Sequence, residues 1–292
     1  MAIDINRTTA GLVELPKGVS QDIWAKTVET SVVQRLARQI EMPAGGLQIE
    51  TIVDEPEANW VGETDEKPVG THTFGSKVIT PYKLALIEPF SDEFRRDKGA
   101  LYNQLVQRLP LALGRKFDRT VFGQFAAPGD NFDTLADAPE VALTGNEDGY
   151  IAALSSIASA EGDADLSHWL LSPTAEIAAL GDVDAQNKRL FIPDAQSDGS
   201  IGSIYARPVV KSKAVENDNV IGLAGDWSKA VWGAVEGIGI KFSDQASINH
   251  GGTQINLWQR NMFAVLVEVE IGFRVADVNH FAKLTKGADS NP

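Results

Sequence analysis

Between Gln21 and Ile40 the apolar residues Trp24, Val28, Val32, Leu36 and Ile40 recur at every fourth position, the spacing of one face of an α-helix. Ser20 offers an N-cap hydroxyl ahead of this run, and Pro43, Gly45 and Gly46 stop it, so the pattern predicts one amphipathic helix behind an irregular arm. The period then changes to two. Leu47, Ile49 and Val53 alternate with Gln48, Glu50 and Asp54, and Phe74, Val78, Tyr82, Leu84 and Leu86 share the even positions, which predicts two strands. Between them, from Glu55 to Gly75, acidic residues and glycines dominate, and Trp60 and Val61 are the consecutive apolar anchors. Such a segment cannot bury a core of its own, so it is expected to project as a flap.

Ser91, Asp92 and Glu93 read as a helix start with acids on the positive end of the dipole, followed by the stripe Phe94, Leu101, Leu105, Leu109, Leu113, Phe117 and Val121. Unbroken to Phe122, this helix would be about 46 Å long, with a kink near Val106 imposed by Pro110. The Pro, Gly, Asp and Asn content from Ala126 to Gly149 marks a boundary between units. Beyond it the pattern predicts a helix over Tyr150–Ala160, a buried strand over Ser167–Leu171, a helix opened by Ser172-Pro173 and an exposed loop from Gly181 to Ser200. Short strands are predicted over Val220–Ala224 and Ala230–Phe242. Residues 263–275 carry the clearest alternation: Phe263, Val265, Val267, Val269, Ile271, Phe273 and Val275 lie on one face, opposite Glu268, Glu270, Gly272 and Arg274. Thirteen residues at about 3.3 Å each make a strand of about 43 Å. A helix and a strand of matching length form an elongated slab, and a slab with a projecting flap is shaped to meet neighbours.

Composition narrows the function. The 292 residues are 43% hydrophobic, enough for an ordinary core. Forty acidic against 26 basic residues give a net charge of -14, which on average repels phosphate and anionic lipid and argues against tight nucleic-acid binding. Cysteine is absent, so disulfides, thiolate metal sites and a thiol nucleophile are excluded. The N-terminus lacks the basic and apolar regions of a signal peptide, and no apolar run approaches the ~20 residues of a bilayer span, so a soluble, non-secreted protein without membrane contact is expected.

No catalytic constellation emerges. GTHTFGSK at 70–77 nearly spells a phosphate loop, but Ser precedes Lys where the motif needs the reverse, and the stretch precedes a strand instead of following one. His72, His168, His250 and His280 have no ligand spacing. Asp182 and Asp184 begin like a calcium loop, yet Asn187 stands where Gly is needed and Pro193 where a bidentate Glu belongs. No cofactor and no metal are expected, and the chain does not read as an enzyme.

Several segments, in order, resemble the major capsid proteins of tailed double-stranded DNA phages, the Hong Kong 97-type fold. They are SVVQRLARQIEMPAGG, ANWVGETDEKP, TFGSKVITPYKLALIEPFSDEF, IYARPVVKSKAV, GDWSKAVWGAVEGIGIKFSD and RNMFAVLVEVEIGFRVADVNHFAKL. The resemblance implies an α+β fold with an N-terminal arm and helix (1–46), an extended hairpin or E-loop (47–90), a discontinuous peripheral domain with a long spine helix and long strands (91–130 and 254–292), and an axial domain (131–253). It implies a structural protein that self-assembles as pentamers and hexamers into an icosahedral shell around phage DNA, in the virion, after assembly in the host cytoplasm. The flap, with Trp60, Glu63, Lys67 and Pro68, would lie across a neighbouring subunit. Implied partners are other copies, a portal and a decoration protein, with packaged DNA touched only non-specifically and its phosphates repelled by an acidic wall. The first helix begins about twenty residues after Met1. That leaves no room for a cleaved scaffolding segment, so a separate scaffolding protein, or a chain already trimmed, is expected.

In cross-linking members of this family a flap lysine attacks a neighbour's asparagine carboxamide, ammonia is lost, and a glutamate seven residues after the asparagine acts as base. Lys67, Asn261 and Glu268 match that spacing. The same positions serve as salt-bridge and turn residues in relatives that form no such bond. Two other readings are an encapsulin-type compartment shell and, in another class, a soluble acidic enzyme without a recognisable motif.

Overall fold

A computed structural model describes residues 17–52, 60–61, 74–95, 98–161, 163–194 and 200–287. In chain order the elements are α1 (Lys17–Thr30), α2 (Val32–Leu36), β1 (Arg38–Glu41), β2 (Leu47–Ile52), β3 (Phe74–Ile79), β4 (Tyr82–Ser91), α3 (Lys98–Val121), β5 (Glu140–Leu143), α4 (Glu147–Ala158), β6 (His168–Leu171) and α5 (Pro173–Ala179). There follow β7 (Phe191–Pro193), β8 (Gly202–Ile204), β9 (Arg207–Lys211), β10 (Val220–Gly225), β11 (Ala230–Ala234), β12 (Gly239–Ser243), β13 (Ser247–His250), β14 (Thr253–Asn256), β15 (Met262–Val275) and β16 (Phe281–Lys286).

The first helix is not the single element that its periodicity suggests. It is already helical at Ser20 and breaks at Ser31, whose extended backbone caps α2 and whose hydroxyl accepts from the Gln34 N–H. The cause is a carboxylate on another helix. Asp118 of α3 accepts from the Ser31 hydroxyl at 2.6 Å and from the N–H groups of Val32 at 3.0 Å and Val33 at 3.3 Å, donors that a continuous helix would commit to its own previous turn. Ile40 then lies in β1, which runs parallel to β11.

The spine helix is shorter than expected. Ser91 pairs with Met262 as the last rung of the β4–β15 ladder, and Asp92–Arg95 form a 3-10 turn, so α3 has 24 residues, about 36 Å, and continues through Pro110. The strand pattern around Phe74–Leu86 divides at Thr80–Pro81, with β3 turning to β2 and β4 to β15. The Gly181–Ser200 stretch is not wholly exposed, since Leu190 and Phe191 are buried and β7 pairs with β8.

Two sheets form the body. In the first, β15 pairs with β4 on one side and with β12 and β11 on the other, and β1 adds beyond β11. The second has the order β5-β16-β10-β6-β9-β8-β7, flanked by α4 and α5. The two sheets exchange segments: β11 and β12, within 131–253, join β15, whereas β16, within 254–292, lies in the seven-stranded sheet. The odd-numbered stripe of β15 is buried throughout, as its alternation predicts, against Leu105, Leu109 and Leu113 at one end of α3 and Phe117 and Val121 at the other. The second of these clusters also takes Leu170, Leu223 and Phe281 from the seven-stranded sheet, so it joins the two sheets. A third core lies under α4 and α5.

Burial pushes the Asp118 carboxyl up to about 6 against the opposing pull of its Ser31, Val32 and Val33 hydrogen bonds. A folded-state value above the unfolded 3.8 means that the folded chain holds more protons between those values, so this group's contribution is full below pH 4 and is lost as pH rises through 6, on the order of 3 kcal/mol. In thermal melts of the full-length chain from pH 4 to 7, Asp118→Asn should flatten this dependence, and an unchanged slope would refute the assignment. Asp118→Ala should cost about 1–3 kcal/mol by stranding three buried donors.

Candidate assembly interface

The flap is anchored at its root. β2 and β3 pair in the register Leu47↔Ile79 to Ile52↔Phe74, as a two-stranded sheet outside both main sheets. At its base Ile79 is buried, and Gly46 takes φ +84 where a Cβ would lie 2.6 Å from the Ile79 carbonyl oxygen. Gly272 of β15 supplies the floor: a Cβ there would meet the Thr80 carbonyl oxygen at 2.8 Å and the Ile79 side chain at 2.9 Å. The Lys77 Nζ donates to the carbonyl oxygens of Val275 at 3.0 Å and Ala276 at 2.8 Å, at the end of β15. Val78 and Leu47, beside that base, are exposed, and Trp60 is fully exposed, with none of its indole against the described core. Glu63, Lys67 and Pro68 lie outside the described residues.

Asn261 and Glu268 are not brought together. Seven residues along an extended chain span about 23 Å, so one copy cannot offer both to a single reaction centre. Asn261 occupies the left-handed region, φ 51 and ψ 52, closing the turn that leads into β15, a conformation that Asn tolerates better than most side chains. Its carbonyl accepts from the Asp92 N–H at 2.9 Å. Glu268 accepts from the Lys241 Nζ at 3.1 Å and lies 3.9 Å from that of Lys83, which also approaches Glu270 at 3.5 Å. On this geometry the asparagine is a turn residue and the glutamate a member of an ion-pair network.

The other sequence candidates are dispersed. Asp182 accepts from the buried Tyr150 hydroxyl at 2.7 Å, and burial raises the pKa of both groups. Asp184 accepts from the N–H groups of Gln186 and Lys188, at 2.9 and 2.8 Å, in a backbone turn. The two carboxylates are thus committed, and no cluster of three or more His, Asp or Glu suited to a metal occurs among the described residues. His280 bonds the Glu161 carbonyl and His168 the Ser167 hydroxyl, while His72 is outside the described residues.

Periodicity alone missed the apolar side chains that the fold leaves bare. Ile177 on α5 is 71% exposed, Ile192 on β7 is 63% exposed, and Trp258, beside the Asn261 turn, is 69% exposed. Ile177 sits in α5, and which face of that short helix meets the body is decided by packing against β6 and β10. Bare apolar groups thus stand at the flap, at the Asn261 turn and at the rim of the seven-stranded sheet.

Comparison with known proteins agrees with this geometry. The chain is 30% identical to the "Probable major capsid protein gp17" of Mycobacterium phage L5 across 91% of its own length and 87% of that protein's. The same fold occurs in a solved chain from Gordonia phage Cozz, with a TM-score of 0.69, 22% identity, and coverage of 89% of this chain and 87% of that one. It occurs again in the capsid of an empty GTA particle, with a TM-score of 0.63, 14% identity, and coverage of 89% and 90%. These neighbours share the α+β Hong Kong 97-type architecture expected from the sequence. The model of the phage capsid family matches residues 11–286, and the chain belongs to that family.

Proposed function

We propose that this chain is the major structural subunit of a tailed-phage head, building an icosahedral shell around double-stranded DNA by self-association and without catalytic turnover. The observation that carries this reading is the bare Trp60 beyond a well-anchored flap root. A monomer leaves this indole in water, and a second copy supplies the surface that covers it. The five-stranded sheet with α1 and α3 serves as the peripheral unit. The seven-stranded sheet with α4 and α5 serves as the axial one, and the bare Ile177 and Ile192 suit contacts around the five- and six-fold axes. A separate scaffolding protein, a portal and a decoration protein complete the set of partners, and assembly takes place in the host cytoplasm. The shell is held without covalent cross-links, a reading supported by the commitment of Glu268 to Lys241 and by the turn role of Asn261.

Two experiments test this. Trp60→Ala should leave the melting of the unassembled chain within about 0.5 kcal/mol of wild type, because the indole contacts nothing in the monomer, while sharply reducing shells seen by negative-stain microscopy. Unimpaired assembly would remove the flap from the interface. Shells boiled in denaturant should run as a single monomer band, whereas a ladder that disappears in Lys67→Arg would establish cross-linking.

A further inference from the structure

The exposed face of α3 is charged oppositely to the protein as a whole. The helix carries Lys98, Arg108, Arg115, Lys116 and Arg119 against one carboxylate, the buried Asp118, in a chain of net charge -14. At about 100° per residue, Arg108, Arg115 and Arg119 fall within roughly 40° of one another, in a line about 16 Å long. All three, and Lys116 beside them, are exposed, and the residues between them on this face, Leu111 and Ala112, are uncharged. Among the described residues one carboxylate reaches these four cations: Glu88, 3.5 Å from Arg108. Lys116 lies over the Phe125 ring, 3.0 Å from its centroid.

The other face of the five-stranded sheet is neutral by comparison. There Lys83 and Lys241 pair with Glu268 and Glu270. The flap root also lies on that face, because Gly272 shares the even-numbered side of β15 with Glu268 and Glu270 and holds the root over its missing Cβ. The flap root and the arginine stripe thus belong to opposite sides of the subunit. Aligned like charges on a helix repel one another, and an anionic partner turns that cost into attraction. A B-DNA strand presents a phosphate about every 3.4 Å of axis, so the stripe faces about five of them, and guanidinium matches phosphate in a bidentate fork.

We propose that Arg108, Arg115, Lys116 and Arg119 on the exposed face of α3 bind the phosphate backbone of packaged duplex without reading sequence. This rests on the shell reading above. The acidic remainder repels phosphate, so the duplex is touched at spaced points along the wall and is not held fast.

The test is fluorescence anisotropy of a labelled 20-base-pair duplex with full-length protein below the concentration at which shells form, across a salt series. Wild type should bind at low salt. The variant Arg115→Gln/Lys116→Gln/Arg119→Gln should lose at least tenfold in affinity and about 3 in the magnitude of the log–log salt slope, at roughly 0.9 per lost contact. Lys83→Gln/Lys241→Gln should change neither quantity, and Arg115→Lys/Arg119→Lys should retain most of the slope, which separates lost charge from lost folding. No binding by wild type, or equal losses in the two glutamine variants, overturns the proposal. So does a triple variant that keeps its DNA affinity but forms no shells, which would assign the stripe to the acidic flap of a second copy. Negative-stain microscopy in parallel distinguishes the layers: wild-type shells without duplex binding sink the stripe alone, and a wild type that never assembles sinks the shell reading beneath it.

Discussion

The contact between α3 and the odd-numbered face of β15 is the constraint on which the other features depend. Seven apolar side chains in strict alternation commit β15 to one face, and a slip of one residue would present Glu268, Glu270 and Arg274 to the core instead. The helix answers with Leu105, Leu109 and Leu113 in one cluster and Phe117 and Val121 in another. Neither cluster stands alone. The one around Phe117, Phe132 and Phe273, with ring centroids about 6.3 Å apart, also holds the seven-stranded sheet through Phe281, which packs on Trp227 at 5.2 Å. Register in one long strand therefore fixes both the five-stranded sheet and its junction with the seven-stranded one.

Asp118 adds a second constraint at the back of the same helix. Its carboxylate acts as an N-terminal cap supplied from another element, and in doing so it ends α1, starts α2 and turns the chain toward β1. An ionised group in that position is expensive to bury, and three hydrogen bonds offset part of the cost. The N-terminal helix is thus tied to the spine by polar groups as well as by Ile23, which is wholly buried among Leu105, Leu109 and Leu113.

Much of this was legible in the sequence, and what was not has physical reasons. Period-two alternation gave β15 almost to the residue, and Ser172-Pro173 gave the cap and first turn of α5. The break at Ser31 was invisible because its cause lies 87 residues away in Asp118. The split of residues 230–242 into β11 and β12 is likewise long-range, since both strands are defined by the partner they share in β15. Seven-residue spacing matched Asn261 to Glu268, but spacing says nothing of distance across copies, and the strand between them carries the two about 23 Å apart. A net charge of -14 averaged away the cationic face of α3, although its residues already stood at helical intervals between Arg108 and Arg119.

The Lys77 anchor has a mechanical meaning. Its ammonium grips the carbonyl oxygens of Val275 and Ala276, and that short backbone segment is also the bridge by which the chain leaves β15 and crosses, through the Val278–His280 turn, to β16 in the other sheet. A pull exerted on the flap root is thereby delivered to the segment that joins the two sheets, like a guy rope tied to the joint of a frame.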